Sequence, residues 1–204
     1  MRPRVTVLDY GAGNLRSVVR AFEHAGADVC LTDHPAVALQ AERLVLPGQG
    51  HFGQCMGRLE ASGLGDAVRE HVRSGRPFLG ICVGMQLLYE GSDEAPDAPG
   101  LGLLPGRVER LQTELPLPHV GWNSVEWTRP GDPLLHDVDD RPRFFYHVHS
   151  YAVHDAQAPE VLGRSEYQAA FASVVGRDSV WGIQFHPEKS QEDGLHILGN
   201  FARL

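Results

Sequence analysis

Cys82 has the surroundings of a reactive cysteine. It lies in Gly80-Ile81-Cys82-Val83-Gly84, directly after the apolar segment PFLGI and before the amphipathic segment VGMQLLYE. A nucleophile between two glycines, on a sharp turn from strand to helix, is typical of hydrolases because larger neighbours would clash with the approaching backbone. N–H groups at the start of the following helix would favour a thiolate. The alternative is a small buried core residue. We interpret Cys30, in a predicted strand, and Cys55, in a predicted loop, in that way.

The motif His186-Pro187-Glu188 could supply a base and the group that orients it. It follows the strand-like segment SVWGIQF, and residues two apart in an extended chain face the same side. We therefore expect the Glu188 carboxylate to hold the His186 imidazole in one tautomer. The order would be nucleophile, base and orienting group. In a chain with 11 histidines this motif alone is weak support, and the cysteine turn strengthens it.

Alternating apolar and helical segments predict the elements that bring these groups together. Four strands (VTVLDY, ADVCLT, RLVLPG, PFLGI) alternate with helical patterns, one running from about Leu59 to Arg73, and residues 91–106 have the composition of a loop. Five more strands follow (RVERL, HVGWNSVEW, RFFYHVHSY, FASVVG, SVWGIQF), then a helix after Ser190-Gln191-Glu192-Asp193, which is close to a capping box. The sequence predicts a single α/β domain over residues 1–204. Its central, mostly parallel sheet is flanked by helices and extended by antiparallel strands in the C-terminal half.

Composition argues against several classes of function. The net charge of −8 disfavours nonspecific nucleic-acid binding. No apolar run approaches the roughly 18–20 residues of a membrane span, so we expect no membrane partner. Three cysteines cannot all pair with one another, and the sequence opens without an export signal. Together these features predict a cytoplasmic protein.

We expect neither a cofactor nor a metal site. Gly11-Ala12-Gly13-Asn14 partly matches a dinucleotide-binding motif, but Arg16 stands where the third glycine belongs. His147 and His149 are spaced like metal ligands on one face of a strand, yet the sequence offers no third ligand with matching spacing.

Three motifs resemble those of the class I (triad) glutamine amidotransferases: Pro47-Gly48-Gln49-Gly50, Gly80-Ile81-Cys82-Val83-Gly84-Met85-Gln86 and His186-Pro187-Glu188. Within that family the chain is most similar to the glutaminase subunits of imidazole glycerol phosphate synthases, enzymes of histidine biosynthesis. That similarity is carried by Gly11-Ala12-Gly13-Asn14-Leu15, His119-Val120-Gly121-Trp122-Asn123, Val148-His149-Ser150-Tyr151 and Lys189-Ser190. The resemblance runs nearly end to end and implies the fold of the class I amidotransferases.

The resemblance also implies roles for individual residues. Cys82 would attack the carboxamide of glutamine, and His186, oriented by Glu188, would protonate the leaving ammonia. Backbone N–H groups of Gln49, Gly50 and Val83 would form the oxyanion hole. The family's glutamine-binding positions match Gln86, Glu94, His149, Ser150 and Tyr151, and its partner-facing positions match Asn14, Trp122, Tyr146 and Lys189.

The partner implied by the resemblance is a cyclase subunit with a (β/α)₈ barrel, bound as a heterodimer. It would use the ammonia to make imidazole glycerol phosphate and an aminoimidazole carboxamide ribotide. One position departs from the family: its oxyanion loop usually has Val where this chain has Gln49. That substitution affects the packing of the loop and leaves its backbone donor in place.

Other functions stay open at this point. A glutaminase of the GMP or anthranilate pathway is disfavoured by the HVGWN and VHSY motifs. A stand-alone γ-glutamyl hydrolase would differ in needing no partner for activity. A noncatalytic binding module is disfavoured because Cys82, His186 and Glu188 are all present.

Overall fold

Parallel and antiparallel strands share the main sheet of this computed structural model, which describes residues 2–139, 141–155 and 157–204. In chain order the strands are β1 (Arg4–Leu8), β2 (Asp28–Thr32), β3 (Leu44–Gly48), β4 (Phe78–Cys82), β5 (Gly91–Ser92), β6 (Ala95–Pro99), β7 (Arg107–Arg110), β8 (His119–Trp127), β9 (Arg143–His149), β10 (Tyr151–Ala152), β11 (Val161–Tyr167), β12 (Ala169–Arg177) and β13 (Val180–Ile183). The helices are α1 (Leu15–His24), α2 (Pro35–Leu39), α3 (Phe52–Ala61), α4 (Leu64–Arg73), α5 (Val83–Gln86) and α6 (Gln191–Arg203), with 3₁₀ turns at Pro133–Leu135 and Pro187–Lys189.

The main sheet follows the order β2-β1-β3-β4-β13-β12-β11-β8-β9. Strands β2, β1, β3, β4 and β13 run parallel to one another, whereas every neighbouring pair from β13 to β9 is antiparallel. Every residue of β3 and β4 is buried, as expected for parallel strands covered on both faces. The structure therefore confirms the predicted parallel centre and antiparallel extension.

A second, smaller sheet corrects the prediction of a loop at residues 91–106. Strands β10, β7, β5 and β6 form it, and β5 and β6 fall within that segment. Strand β6, at its edge, is mostly exposed and contains two prolines. Its residues lack the alternation of apolar and polar side chains by which strands are predicted. Strand β11 also had no predicted counterpart, because Gly, Arg and Glu interrupt its apolar residues.

Two predicted helices differ from the structure. The single helix expected from Leu59 to Arg73 is divided into α3 and α4, because Gly63 adopts a left-handed φ of 73° between them. Helix α3 also contains Cys55, buried and not in the predicted loop. After Cys82 the helix lasts only one turn, as α5. Within the described ranges the structure has no helix long and apolar enough to cross a membrane.

Candidate active site

Three neighbouring parallel strands end at the same edge of the main sheet, and each supplies part of the candidate site. Strand β3 leads into residues 47–50, β4 ends at Cys82, and β13 leads to His186. The pairing places Gly48 beside Cys82 and Ile81 beside Ile183. The carboxyl edge of parallel strands is where open α/β sheets bind ligands.

Cys82 occupies a strained turn that only its glycine neighbours allow. Its backbone has φ 55° and ψ −114°, a conformation that non-glycine residues rarely adopt and that is typical of functional sites. A Cβ on Gly84 would lie 1.9 Å from the carbonyl oxygen of Leu46, and one on Gly80 would lie 2.5 Å from that of Gly84. Backbone therefore packs directly on backbone around the thiol, which confirms the physical reason for the glycines.

His186 and Glu188 form the expected pair by a different local geometry. His186 Nδ1 lies 2.9 Å from Glu188 Oε1, and both side chains are buried. The two residues approach through the 3₁₀ turn at Pro187–Lys189 and not along an extended strand. Burial lowers the pKa of His186, but hydrogen bonds and attraction to Cys82 and Glu188 outweigh it and raise that pKa to about 10. This pKa favours the imidazolium form of His186 beside Cys82 and Glu188.

Ser190 fastens the turn that carries His186 to strand β9. Its hydroxyl donates to the carbonyl of His186 (2.7 Å) and accepts from the backbone N–H of Tyr146 (3.0 Å). The N–H of His186 in turn donates to the carbonyl of Tyr146 (2.8 Å). We had expected Ser190 to cap α6 in a capping box; its hydroxyl is instead used to fix the base.

Two side chains form hydrogen bonds to the end of β3 and to the loop that follows it. The Tyr10 hydroxyl donates to the carbonyl of Pro47 (2.8 Å), and the Cys55 thiol donates to that of Gln49 (3.5 Å). Burial raises the pKa of Cys55, which keeps its thiol protonated and able to donate. Gly50 has a φ of 111°, a conformation that favours glycine.

A cavity of about 300 Å³ opens onto the thiol of Cys82. Its walls include the base His186 and every residue expected to form the oxyanion hole or to hold glutamine: Gln49, Gly50, Val83, Gln86, Glu94, His149, Ser150 and Tyr151. Pro118, Val148 and Lys189 complete the lining. Two larger clefts, of about 830 and 760 Å³, are lined by other residues. Chemistry and not size therefore selects the candidate site.

Two of the cavity residues also make structural contacts. Gln86 Nε2 donates to the carbonyl of Tyr151 (3.0 Å), so it fixes the strand that forms one wall. Glu94 Oε2 accepts from the backbone N–H of Phe52 (2.7 Å), the first residue of α3. The carboxylate therefore occupies the positive end of that helix while it lines the cavity.

Three of the four residues expected to face a partner cluster beside the cavity. The rings of Trp122 and Tyr146 are 6.2 Å apart, and Lys189 Nζ lies 5.7 Å from the centre of the Tyr146 ring. Trp122 is 47% exposed. Asn14 precedes α1, where its carbonyl accepts from the N–H groups of Ser17 and Val18.

The sequence patterns did not reveal two buried residues, one beside the thiol and one in a histidine cluster. Gln184 Nε2 lies 3.9 Å from Cys82 Sγ. Its position two residues before His186 in an extended segment could have predicted that the two side chains face the same side. His119 stacks on His147 with ring centres 5.3 Å apart, and pairs with His149 across β8 and β9. Only the strand register reveals His119.

His119, His147 and His149 form a buried cluster, of which His149 lines the cavity. Burial lowers the pKa of His119 and of His149. The pKa of His147 is lowered to about 3, mainly by burial and then by the neighbouring His119 and His186. The rings are therefore neutral. Among the residues that the structure describes, no group of three or more His, Cys, Asp or Glu side chains has the geometry to hold a metal ion.

Comparison with known proteins identifies the family. Residues 6–203 match the family model of class I glutamine amidotransferases. The chain belongs to that family. It is 48% identical to the imidazole glycerol phosphate synthase subunit HisH of Salinibacter ruber over 206 residues, covering 98% of this chain and 94% of the relative. With subunit HisH of Syntrophotalea carbinolica the identity is 45%, covering 98% of this chain and 100% of the relative.

Solved structures agree on the architecture of this amidotransferase. A crystal structure described as a glutamine amidotransferase superposes with a TM-score of 0.77 at 20% sequence identity, covering 98% of this chain and 99% of that one. At this identity the comparison establishes the fold alone. The predicted class I amidotransferase-like α/β fold is confirmed.

Proposed function

We propose that this chain is the glutaminase subunit of imidazole glycerol phosphate synthase, which hydrolyses glutamine and delivers ammonia to a cyclase subunit. One observation carries the proposal: a strained Cys82 and His186, whose imidazole is held by the buried Glu188, line one cavity of about 300 Å³. The near-full-length identity to subunits named HisH supports the choice of pathway.

The proposed first half of the reaction uses the imidazolium form of His186. The Cys82 thiolate attacks the carboxamide carbon of glutamine, and the carbonyl oxygen becomes an oxyanion. Imidazolium His186 passes its proton to the amine nitrogen as the C–N bond breaks, so ammonia leaves and a thioester remains. Glu188 stabilises the imidazolium and keeps its Nδ1 fixed. Neutral His186 then takes a proton from water, which attacks the thioester and releases glutamate.

Backbone donors would stabilise the oxyanion in this mechanism. We assign this role to the N–H groups of Gln49, Gly50 and Val83, because these three residues line the cavity. Each such donor contributes roughly 10²–10³ in rate. Gln86, Glu94 and the strand residues His149, Ser150 and Tyr151 hold the amino-acid end of glutamine.

The partner docks on the outer face of β8 and β9. Val120, Trp122 and Phe144 are 56, 47 and 59% exposed there. Tyr146 pairs with Trp122 on the same face, which continues to Lys189 at the cavity. Exposed apolar residues in such a group are typical of an interface. The partner is the (β/α)₈ cyclase subunit, the pair forms a heterodimer, and we assign it to the cytoplasm because the three thiols are free.

The test replaces the nucleophile and supplies ammonia by another route. In the complex with the cyclase subunit, Cys82→Ala should abolish glutamine-dependent synthesis of imidazole glycerol phosphate. Synthesis from an added ammonium salt, at a pH where free ammonia is present, should continue because the second site lies in the partner. Cys30→Ala is the matched control, since that thiol is half-buried outside the cavity, and it should retain both activities. Full glutamine-dependent activity in the Cys82 variant would exclude the mechanism.

A further inference from the structure

Gln184 lies next to the nucleophile without lining the cavity. It follows β13 and precedes His186 by two residues, and its side chain is fully buried. Its backbone N–H donates to the carbonyl of Ser173 (2.9 Å), which fixes the main chain at this point. A buried amide must satisfy its polar atoms within the protein, so its contacts define what it does.

The orientation of the Gln184 amide follows from a backbone carbonyl. The carbonyl of Tyr151 can only accept, so Gln86 must present its Nε2 there, at 3.0 Å. The second hydrogen of that same Nε2 points to Gln184 Oε1, at 3.1 Å. Gln184 must therefore turn its oxygen towards Gln86 and its own Nε2 towards Cys82 Sγ, at 3.9 Å. A reversed amide would set two donors against each other.

We propose that Gln184 is a positioning residue that donates an N–H to the Cys82 sulfur and links that sulfur to Gln86. The inference rests on the proposed function, in which Cys82 is the nucleophile. A donor on one side and imidazolium His186 on the other hold the thiolate in a single orientation towards the substrate carbon. Hydrogen bonding to the charged form favours that form. Because Gln86 lines the cavity, the chain Tyr151–Gln86–Gln184–Cys82 joins the glutamine-binding wall to the nucleophile.

The deciding measurement is the pH dependence of Cys82 alkylation by iodoacetamide, followed on the full chain by peptide mass spectrometry. Gln184→Met removes the donor at similar volume, and Gln184→Glu places a carboxylate beside the sulfur. In the Met variant we expect alkylation near pH 7 to slow about tenfold, the size of one lost hydrogen bond to a charged group. The Glu variant should slow further, with its half-maximal pH moved upward. In the complex, kcat for glutamine should fall while KM changes little.

Asn200 provides the matched control. It is a similarly buried amide whose Nδ2 donates to the carbonyls of Leu134 (3.0 Å) and His136 (2.7 Å), and none of these three residues lines the cavity. Asn200→Leu should lower the melting temperature and leave the alkylation profile unchanged. Ammonia-dependent synthesis in each complex reports intact folding and docking.

A measurement on the unmodified protein tests the inference even if the variants do not fold. The side-chain amide resonances of Gln184 in the unmodified protein should shift with pH at the midpoint of Cys82 alkylation. Two results would overturn the inference in a wild-type complex that is still a glutaminase. One is an unchanged alkylation profile in both Gln184 variants, and the other is the absence of a change in the Gln184 amide resonances at that midpoint. Failure of the proposed function is distinct, since the wild-type complex would then lack glutamine-dependent synthesis.

Discussion

At residue scale, Gln49 separates the role of a side chain from that of its backbone. Its carbonyl is held by the Cys55 thiol at 3.5 Å, and the residue lines the cavity where the oxyanion would form. We expect Gln49→Val, the usual family residue, to retain glutaminase activity in the complex. Gln49→Pro deletes the N–H, fixes φ near −65° and restricts Gly48. It should slow glutamine hydrolysis about 10²-fold or more.

Steady-state glutaminase assays of the two variants make the comparison, with ammonia-dependent synthesis as the control for folding. Equal glutaminase rates for the Val and Pro variants would remove this loop from the mechanism.

Single residues were also where sequence patterns had the clearest limits. The glycines around Cys82 predicted its strained turn and the His186–Glu188 spacing predicted their contact, because strain and proximity are local properties. His119 joins His147 and His149 only through the register of β8 with β9. Gln184 acquires its orientation from Tyr151, through Gln86. Contacts made through tertiary pairing are not encoded in spacing along the chain.

At the scale of elements, helix α5 tolerates no side chain at Gly84. An added Cβ would lie 1.9 Å from the Leu46 carbonyl oxygen of β3, so the strand and the turn would have to separate. Gly84→Ala should lower the free energy of unfolding by about 4 kcal/mol or more, among the largest effects of single substitutions.

Gly57 is the matched control for Gly84. It lies in α3, is exposed, and its added Cβ would meet nothing within 4 Å. Gly57→Ala should stabilise by about 0.5–1 kcal/mol, since alanine favours a helix interior. Urea denaturation of both variants measures the contrast, and similar values for the two would refute the packing argument.

Strands β8 and β9 should make the fold sensitive to acid through their histidines. The pKa of His147 is lowered to about 3, first by burial, whereas an unfolded histidine has a pKa of about 6.5. Between these values the unfolded chain binds more protons, so stability must fall as pH falls. We expect the free energy of unfolding in urea to decline steadily below about pH 6.5.

His147→Gln should make the decline in the free energy of unfolding less steep, because it removes the histidine whose pKa is lowered to about 3. His34 is highly exposed, so His34→Gln is the control and should keep the full slope. An identical slope in the His147 variant and the wild type would show that other groups cause the acid sensitivity.

Element boundaries were less predictable than element order. The alternation of strands and helices identified the parallel half, since buried strands are continuous apolar runs. Helices α3 and α4 appeared as one because the polar and apolar pattern continues across Gly63, whose left-handed φ of 73° ends the first and starts the second. The one-turn α5 was expected to be longer, although its apolar successors Leu87 and Leu88 are buried all the same.

At the scale of the whole molecule, the two ends of the main sheet should differ in partner binding. Trp122 on β8 and Leu31 on β2 are each 47% exposed, and they lie towards opposite ends of the strand order. Trp122→Ala should weaken binding of the cyclase subunit about tenfold or more, as for a central aromatic of an interface. Leu31→Ala should leave it unchanged. Titration calorimetry measures both affinities, and equal losses would disprove the assignment of the docking face.

Tyr146 connects the outer face of β8 and β9 to the candidate active site. Its ring contacts Trp122 and Lys189 outside, while its peptide groups bond to His186 and Ser190 inside. A displacement of the Tyr146 backbone would therefore reach the His186 peptide group through a direct hydrogen bond, without a relay of intermediate side chains. In the proposed mechanism, the histidine that protonates the leaving ammonia is therefore hydrogen-bonded to the strand on which the partner is proposed to dock.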